Sequence, residues 1–375
     1  MRFRHPDGTL VHLAYCTNVH PADDLDGVLA QLARYAEPVR ERLGAGSLGL
    51  GLWLAADVAR ALADDAALTQ LRGELAARGL EVVTLNGFPY RAFHAPVVKG
   101  AVYKPDWTER ARLDYTLDLA RVLQRLLPDD AARGSISTLP FGWRDPWPAE
   151  RDDAARRQLD LLARELARLD RPVRAAIEPE PGCVIETTDR LRRTLAQADT
   201  EWIGSCLDLC HLAVGFEDPA GAVAAAAPVV KAQVSCALQA DDPTDPATLK
   251  ALSAFAEPRF LHQTRAADGR SWDDLDAALN AGGPGPWRVH FHIPLHAEPE
   301  PPLTTAHDTL LDTLDVLLGG PAALVDHLEV ETYTWDVLPA EHRPSGEATL
   351  IDGIADELAW TRDRLLALGL REVTP

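Results

Sequence analysis

The chain has 375 residues, enough for two average domains or for one (β/α) barrel of about 250 residues or more. Its 57 acidic residues outnumber the 37 basic ones, and the formal net charge of -20 argues against nucleic acid as a partner. A hydrophobic fraction of 46% predicts a globular protein with a substantial core. No stretch resembles a membrane span or a signal peptide, so we expect a cytoplasmic protein with a single domain over 1–375.

Short apolar runs alternate with longer amphipathic stretches along the whole chain. Within 152–169, for example, Leu159, Leu162 and Leu166 recur at helical spacing. Such alternation predicts a parallel sheet with right-handed crossovers. No G-x-G-x-x-G turn follows any strand, which favours an α/β fold of the (β/α)8 TIM barrel type over an open doubly wound sheet. The eight predicted strands are 11–17, 48–54, 81–87, 134–139, 173–179, 203–208, 229–236 and 327–333.

Two further strand-like runs, 259–265 and 287–295, lie between the seventh and eighth predicted barrel strands. A helical pattern and a Gly/Pro-rich turn separate them. Barrels place many of their specificity elements in loops at the carboxyl ends of the strands. We therefore predict that 237–300 forms an insertion that covers the barrel mouth as a lid. In the alternative, 287–295 is itself a barrel strand and the last assignments shift.

Four predicted strands carry side chains near their carboxyl ends that can bind one divalent cation. These side chains are Glu178, Asp208, Gln233 and Glu331. Because parallel strands of a barrel end at one mouth, the four groups are expected to meet there. Mixed oxygen and nitrogen ligands suit Mn²⁺, Mg²⁺, Co²⁺ or Zn²⁺, so the sequence predicts one such ion as a cofactor. His211, three residues after Asp208, either binds the metal or bonds a substrate hydroxyl.

Neighbouring acidic residues offer alternative ligands. Glu180 shares strand parity with Glu178, and Glu329 shares it with Glu331. We rank Glu178 and Glu331 first, and place Glu329 one layer below the mouth. A glutamate at a strand end can instead form a loop salt bridge or cap a helix, but one that follows an apolar run needs a cation or hydrogen bonds.

Several other polar side chains are candidates for contact with a substrate. His290 and His292 alternate on one predicted strand, and the alternative is that they are satisfied or surface histidines. In the functional interpretation, His292 or His262 reaches over the mouth and supplies an imidazole. The substrate-binding candidates are His211, Lys231, His262, His292, Asn18 and Asn86.

These motifs resemble a known superfamily. CLDLCH, IEPEPG and the last strand with Glu331 are similar to the xylose isomerase-like TIM barrels, which include sugar phosphate isomerases and epimerases. That resemblance covers 12–335 in strand order. More narrowly, HLAYCTNVHP, FLHQ, VHFHIPL and LEVETYTWDVLP resemble the EboE-type metabolite traffic proteins over most of the chain.

The superfamily resemblance implies a metal held by Glu178, Asp208, Gln233 and Glu331, with His211 binding substrate. It also implies enediolate chemistry in which Glu178 and Glu331 move the proton and His211 fixes a hydroxyl. The chain departs from the pattern at Gln233, where the superfamily has a histidine. The insertion histidines are the candidates to replace that imidazole.

Three functions are therefore weighed. The first is a metal-dependent isomerase or epimerase of a small polyol, sugar or cyclitol-type metabolite. The second is a non-catalytic protein that binds such a metabolite and hands it over, with protein partners of the same pathway; Gln233 favours this alternative. The third is a metal-dependent phosphoester hydrolase, whose sites use several histidines and two or three metals.

Overall fold

The computed structural model describes residues 1–373 and contains two sheets surrounded by helices. In chain order the strands are β1 (Arg2–Arg4), β2 (Leu10–Cys16), β3 (Leu48–Trp53), β4 (Leu80–Asn86), β5 (Gly134–Thr138), β6 (Val173–Ile177), β7 (Ile203–Asp208), β8 (Val229–Val234), β9 (Ala237–Ala240), β10 (Thr264–Ala266), β11 (Ser271–Trp272), β12 (Trp287–His292), β13 (Leu303–Thr305), β14 (His327–Val330) and β15 (Arg371–Val373).

The α-helices lie mostly between the barrel strands. They are α1 (Leu25–Gln31), α2 (Glu37–Arg42), α3 (Ala56–Ala61), α4 (Asp65–Ala77), α5 (Arg110–Leu126), α6 (Ala149–Leu166), α7 (Thr188–Leu195), α8 (Leu209–Val214), α9 (Pro219–Ala226), α10 (Pro246–Ser253), α11 (Leu275–Ala281), α12 (His307–Leu318) and α13 (Glu347–Ala367). A π-helical turn, Leu32–Ala36, joins α1 to α2, and 3-10 turns cover Thr17–Val19 and Lys99–Tyr103.

Strands β2 to β8 and β14 form a closed parallel barrel. Neighbouring strands pair in parallel, and β14 closes the ring because it pairs with both β8 and β2. Side chains fill the interior and helices cover the outside, so β3, β7 and β8 are buried at every position. The predicted (β/α)8 barrel is confirmed, and all eight predicted runs are barrel strands. Antiparallel β1 and β15 extend the sheet beyond β2.

The insertion between the seventh and eighth barrel strands forms a separate antiparallel sheet. Its strand order is β11-β10-β12-β9-β13, and it spans 237–305. The run 287–295 contains β12, which pairs with β9 and β10, so it does not belong to the barrel. Helix α8 packs against β12 and β9 and so connects the barrel to the second sheet.

A buried ion pair lies inside the barrel, one layer below the mouth. Lys231 Nζ on β8 contacts the Glu329 carboxylate on β14, and both side chains are fully buried. Lys231 also lies 3.4 Å from the Leu85 carbonyl and 3.3 Å from Ser137 Oγ. On β3, Gly51 leaves the space that Glu329 fills, since a Cβ there would overlap the carboxyl group.

A second buried carboxyl group, Glu357 of α13, joins three parts of the structure. It accepts hydrogen bonds from the Leu295 amide (3.0 Å) and from Thr332 Oγ1 (2.6 Å). Burial raises the pKa of Glu357 to about 7. Since the protonated form is favoured in the folded state, its contribution to stability is complete below the ordinary pKa of about 4.5 and is lost as pH rises through 7.

We therefore expect Glu357→Gln to flatten the pH dependence of stability. The pKa difference corresponds to about 3 kcal/mol of unfolding free energy between pH 4.5 and 7, at roughly 1.4 kcal/mol per unit. Urea unfolding of both proteins at several pH values measures the difference. Asp356→Asn, at an exposed neighbour on the same helix, is the control for the loss of one carboxyl group. Parallel profiles for wild type and Glu357→Gln would contradict the expectation.

Candidate metal centre

A cavity opens at the carboxyl ends of the barrel strands. Polar groups surround its floor, and aromatic and aliphatic side chains form much of its wall. The polar lining residues are Asn18, Asn86, Lys99, Glu178, Glu180, His211, His290, His292 and Glu331, and the other lining residues are Phe88, Pro89, Phe93, Val98, Val102, Tyr103, Phe260, Leu261 and Tyr333.

Three buried carboxyl groups meet at this end of the barrel; Glu178 and Glu331 line the cavity, and Asp208 lies beside them outside its lining. Glu178 follows β6, Asp208 is the last residue of β7, and Glu331 follows β14. One ligand atom from each lies within 4.8 Å of the others. Buried Glu178 Oε2 and Asp208 Oδ2 have no hydrogen-bond partner within the protein. Burying a carboxylate oxygen without a partner costs free energy, and a bound cation would remove that cost. The three carboxyl groups together offer the hard oxygen ligands that a divalent cation needs.

Burial and mutual repulsion perturb these carboxyl groups. The pKa of Glu331 is raised well above its ordinary value by burial and then by the nearby charges of Glu178 and Asp208. Burial also raises the pKa of Glu178, although His211 acts in the opposite direction. Either protons or a cation must therefore reduce the negative charge of this group.

Local hydrogen bonds fix the orientation of two of the three carboxyl groups. Asp208 caps α8, because its Oδ1 accepts a hydrogen bond from the His211 amide at 2.9 Å. The same oxygen also accepts from Ser235 Oγ at 2.8 Å. Glu331 Oε1 accepts from Asn18 Nδ2 at 2.6 Å and from Asn86 Nδ2 at 2.9 Å. The two asparagines thus contact Glu331 as well as the cavity.

Gln233 lies beside the carboxyl groups as a hydrogen-bond donor. Its amide nitrogen donates to Glu331 Oε2, and its amide oxygen accepts from the Cys206 thiol at 2.8 Å. In this orientation Gln233 holds Glu331 in place, and the amide oxygen of Gln233 faces away from the Glu331 carboxyl group. Its predicted role as a metal ligand is therefore not favoured by the geometry.

Three histidines lie next to the carboxyl groups. His211 Nε2 is 3.0 Å from His290 Nε2, and His290 Nε2 is 3.3 Å from His292 Nε2. Although burial opposes it, the charges of Asp208 and Glu180 hold the pKa of His211 well above its ordinary value. Burial lowers the pKa values of His290 and His292. The insertion thus brings two imidazoles to the barrel mouth.

Two predicted substrate-binding residues lie outside the cavity lining. Lys231 pairs with Glu329 in the layer below. His262 is fully buried, with Nε2 2.9 Å from Glu257 Oε1 and Nδ1 2.9 Å from the His290 carbonyl. His262 therefore supports the strand that carries His290 and does not reach the mouth.

Two residues of the site were missed in the sequence. Ser235 holds Asp208, and its position two residues after Gln233 on the same strand face was an available signal. Tyr103 donates to Glu180 Oε1 at 2.9 Å. It lies in the long irregular connection after β4, where no periodicity identifies it.

An aromatic cluster covers part of the cavity. The ring centroids of Phe93 and Phe260 are 5.2 Å apart, and those of Phe93 and Tyr333 are 5.3 Å apart. Phe260 and Tyr333 are separated by 5.0 Å. Because Phe93 follows β4, Phe260 belongs to the insertion and Tyr333 follows β14, the cluster connects three separate segments above the mouth.

Fold and site together define an α/β barrel with a candidate metal centre at its carboxyl end. A family model described as "Xylose isomerase-like TIM barrel" matches residues 41–294, more than half of the chain. The chain therefore belongs to the xylose isomerase-like TIM barrel family. No curated protein matches the sequence. Among residues 1–373, no helix combines the length and apolar character needed to cross a membrane.

Solved structures of similar fold include several sugar epimerases. D-psicose 3-epimerase with D-tagatose from Clostridium cellulolyticum H10 has 13% identity and a TM-score of 0.52, covering 94% of this chain and 99% of that one. D-allulose 3-epimerase from Methylomonas sp. has 12% identity and a TM-score of 0.53, covering 96% and 100%. A xylose isomerase-like protein from Mycobacterium smegmatis in complex with magnesium has 14% identity and a TM-score of 0.51, covering 96% and 94%. At these identities the likeness concerns the fold alone.

Proposed function

We propose that the protein is a metal-dependent isomerase or epimerase of a small polyol, sugar or cyclitol-type metabolite. The observation that carries the proposal is the convergence of Glu178, Asp208 and Glu331 with two unpaired buried oxygens at the barrel mouth. Two of the similar structures are named as sugar epimerases, and a third is named as a complex with magnesium.

One divalent ion, Mg²⁺, Mn²⁺, Co²⁺ or Zn²⁺, would be held by Glu178, Asp208 and Glu331. When bound, it would polarise a carbonyl and its adjacent hydroxyl and so acidify the C–H bond between them. Asp208 is already fixed by Ser235 and the His211 amide, so it needs little reorganisation to act as a ligand.

The proton would move between two carboxyl groups of different character. Glu178 has an unpaired oxygen, which suits a proton acceptor. Glu331 is held by Asn18, Asn86 and Gln233 and would return the proton from its own strand end. In this proposal His211 fixes a substrate hydroxyl through Nε2.

The insertion would act as a lid that excludes water from the reaction. Phe260, Leu261, His290 and His292, all between β8 and β14, line the cavity. An enediolate is protected when bulk water is kept away from it. We also propose that the protein is related to the EboE-type metabolite traffic proteins and that it works with partner proteins of the same pathway.

Two alternatives each have a specific observation in their favour. Gln233 donates to Glu331 where the resemblance expects a metal-binding histidine, which favours a non-catalytic binding or hand-over protein. The three histidines beside the carboxyl groups favour a phosphoester hydrolase, since such sites combine several imidazoles.

Hydrogen exchange separates the three functions. Protein loaded with Mn²⁺ or Mg²⁺ is incubated in D₂O with a panel of ketoses, cyclic ketopolyols and sugar phosphates, and NMR follows both deuterium incorporation and phosphate release. We expect deuterium at the carbon next to a carbonyl, which is abolished when EDTA removes the metal. Binding by calorimetry without exchange supports the carrier, and phosphate release supports the hydrolase. Either result would contradict the isomerase proposal.

A further inference from the structure

Three amide side chains surround Glu331 at the barrel mouth. Asn18 Nδ2 and Asn86 Nδ2 donate to Glu331 Oε1 at 2.6 Å and 2.9 Å. The Gln233 amide nitrogen donates to Oε2 of the same carboxylate. An ionised carboxylate only accepts hydrogen bonds, so each amide presents its nitrogen to Glu331. Each amide oxygen is therefore directed away from the carboxylate and needs a donor of its own.

Two of the three amide oxygens have a donor within the protein. Asn86 Oδ1 accepts from the Phe88 amide at 3.1 Å. Gln233 Oε1 accepts from the Cys206 thiol at 2.8 Å. The hydrogen bonds of both side chains are thus used to support Glu331, and their oxygens are already occupied.

Asn18 differs from the other two amides, because its Oδ1 is buried and has no hydrogen-bond partner among residues 1–373. The residue is only 1% exposed, and it lines the cavity together with Glu178 and Glu331. Folded proteins satisfy most of their buried acceptors, since leaving one without a donor costs free energy. A free acceptor on the wall of a cavity therefore indicates contact with a donor group of the ligand.

The backbone around Asn18 holds the side chain in this position. Asn18 belongs to the 3-10 turn Thr17–Val19, which directly follows β2. Within that turn, Thr17 Oγ1 accepts from the Trp53 amide at 3.0 Å. His94 Nε2 donates to the Asn18 carbonyl at 2.8 Å. Rotation of the amide towards another partner would break its hydrogen bond to the carboxylate, so Asn18 is preorganised as an acceptor.

We propose that Asn18 is a specificity-determining residue, whose Oδ1 accepts a hydrogen bond from a hydroxyl group of the substrate. An amide oxygen only accepts, so the bound group must carry a hydrogen atom, as a hydroxyl does and a carbonyl, ether or fluorine does not. Asn86 lacks this role because the Phe88 amide occupies its oxygen. The inference rests on the proposed function for its class of ligand, but it does not require the ligand to react.

The double contact of Asn18 joins recognition to the proposed chemistry. Its nitrogen donates to Glu331, which would return the proton, and its oxygen is free for the substrate. A hydroxyl bound by Asn18 therefore lies on the side of the substrate that faces Glu331. A compound without that hydroxyl would leave Oδ1 buried and unpaired, and sites of this kind discriminate strongly against such analogues.

Calorimetry in the presence of Mg²⁺ tests the contact without turnover. The probes are ketohexoses and cyclic ketopolyols, each compared with its monodeoxy analogues. In wild type, removal of at least one hydroxyl should weaken binding by about 10- to 100-fold, because the buried Asn18 oxygen loses its donor. In Asn18→Leu the parent compound should bind more weakly, and its advantage over that analogue should fall below about 3-fold.

Asn86→Leu is the matched control for the loss of an amide beside Glu331. It removes a donor to the same carboxylate oxygen and leaves Asn18 in place. Binding of the parent compound should weaken, while the preference for the hydroxyl is retained at about 10- to 100-fold. Asn18→Ala, which leaves space where leucine places an apolar side chain, tests the same ratio if Asn18→Leu does not fold.

Three results would overturn the inference. In the first, wild type binds every monodeoxy analogue as tightly as its parent, and this result needs no variant. In the second, every hydroxyl preference of wild type persists in a folded Asn18 variant, which assigns those hydroxyls to other residues. In the third, none of the parent compounds binds. Failure of the isomerase proposal is distinct, since the parent compounds would then bind with the expected hydroxyl preference and show no deuterium exchange.

Discussion

Replacing Glu331 by Gln is expected to abolish turnover and to leave the barrel folded. The change removes a metal ligand and a proton-transfer group together, and loss of an acid or base alone costs about 10²–10⁴ in rate. The fold should tolerate it, because the amide has nearly the same shape and its oxygen can still accept from Asn18 and Asn86, while its NH2 group replaces the oxygen that accepts from Gln233. Removing one of three mutually repelling charges offsets that lost hydrogen bond, so the melting temperature of the metal-free protein should stay close to that of wild type.

The measurements are the exchange rate on the substrate identified by NMR, metal content and thermal unfolding. Glu341→Gln, at an exposed position later in the same connection, is the control and should retain activity, metal and stability. If Glu331→Gln loses its thermal transition, Glu331 is a structural residue and the assigned role fails. If the variant is folded and fully active, the reaction does not take place at the site formed by Glu178, Asp208 and Glu331.

Lys231→Met is expected to give the largest loss of stability. It leaves the Glu329 carboxylate buried without its cation, and breaking a buried ion pair on one side typically costs about 3–5 kcal/mol. The double variant Lys231→Met/Glu329→Met removes both charges, and the two methionine side chains fill about the same volume as the lysine and glutamate that they replace. Its free energy of unfolding should return to within about 1–2 kcal/mol of wild type, because replacing both partners by apolar groups is often neutral.

Denaturant unfolding of the two variants measures this recovery. A double variant as unstable as Lys231→Met would show that the pair contributes more than mutual neutralisation. Activity provides a second readout, since the pair lies below the cavity lining and the double variant should remain active. Loss of activity in a stable double variant would instead support the substrate-binding role that the sequence predicted for Lys231.

The barrel could be predicted from the sequence because its signals are local. Each strand is a short apolar run, and Asp208 and Glu331 stand at the ends of two of them. Since the parallel strands of a barrel end on one side, the meeting of these groups follows from topology alone. The insertion was recognisable for the same reason, as two extra strand-like runs that break the alternation.

The division of labour among neighbouring side chains could not be predicted. Glu178 lies with the carboxyl groups of Asp208 and Glu331, whereas the Glu180 carboxylate contacts His211. Both glutamates nevertheless have the same strand parity. His262 and His292 are equivalent candidates in the sequence, but the docking of the second sheet directs His292 to the mouth and pairs His262 with Glu257. These differences depend on tertiary packing between distant segments, which periodicity does not report.

The aromatic cluster above the mouth makes the cavity a region of low dielectric constant on one side. Phe93, Phe260 and Tyr333 offer ring faces where a fully hydroxylated sugar would need hydrogen-bond partners. Unmet hydroxyl groups against such a wall cost about 1–3 kcal/mol each. For the proposed function, this wall favours a metabolite that presents vicinal oxygen atoms to Glu178 and Glu331 and its less polar side to the aromatic side chains.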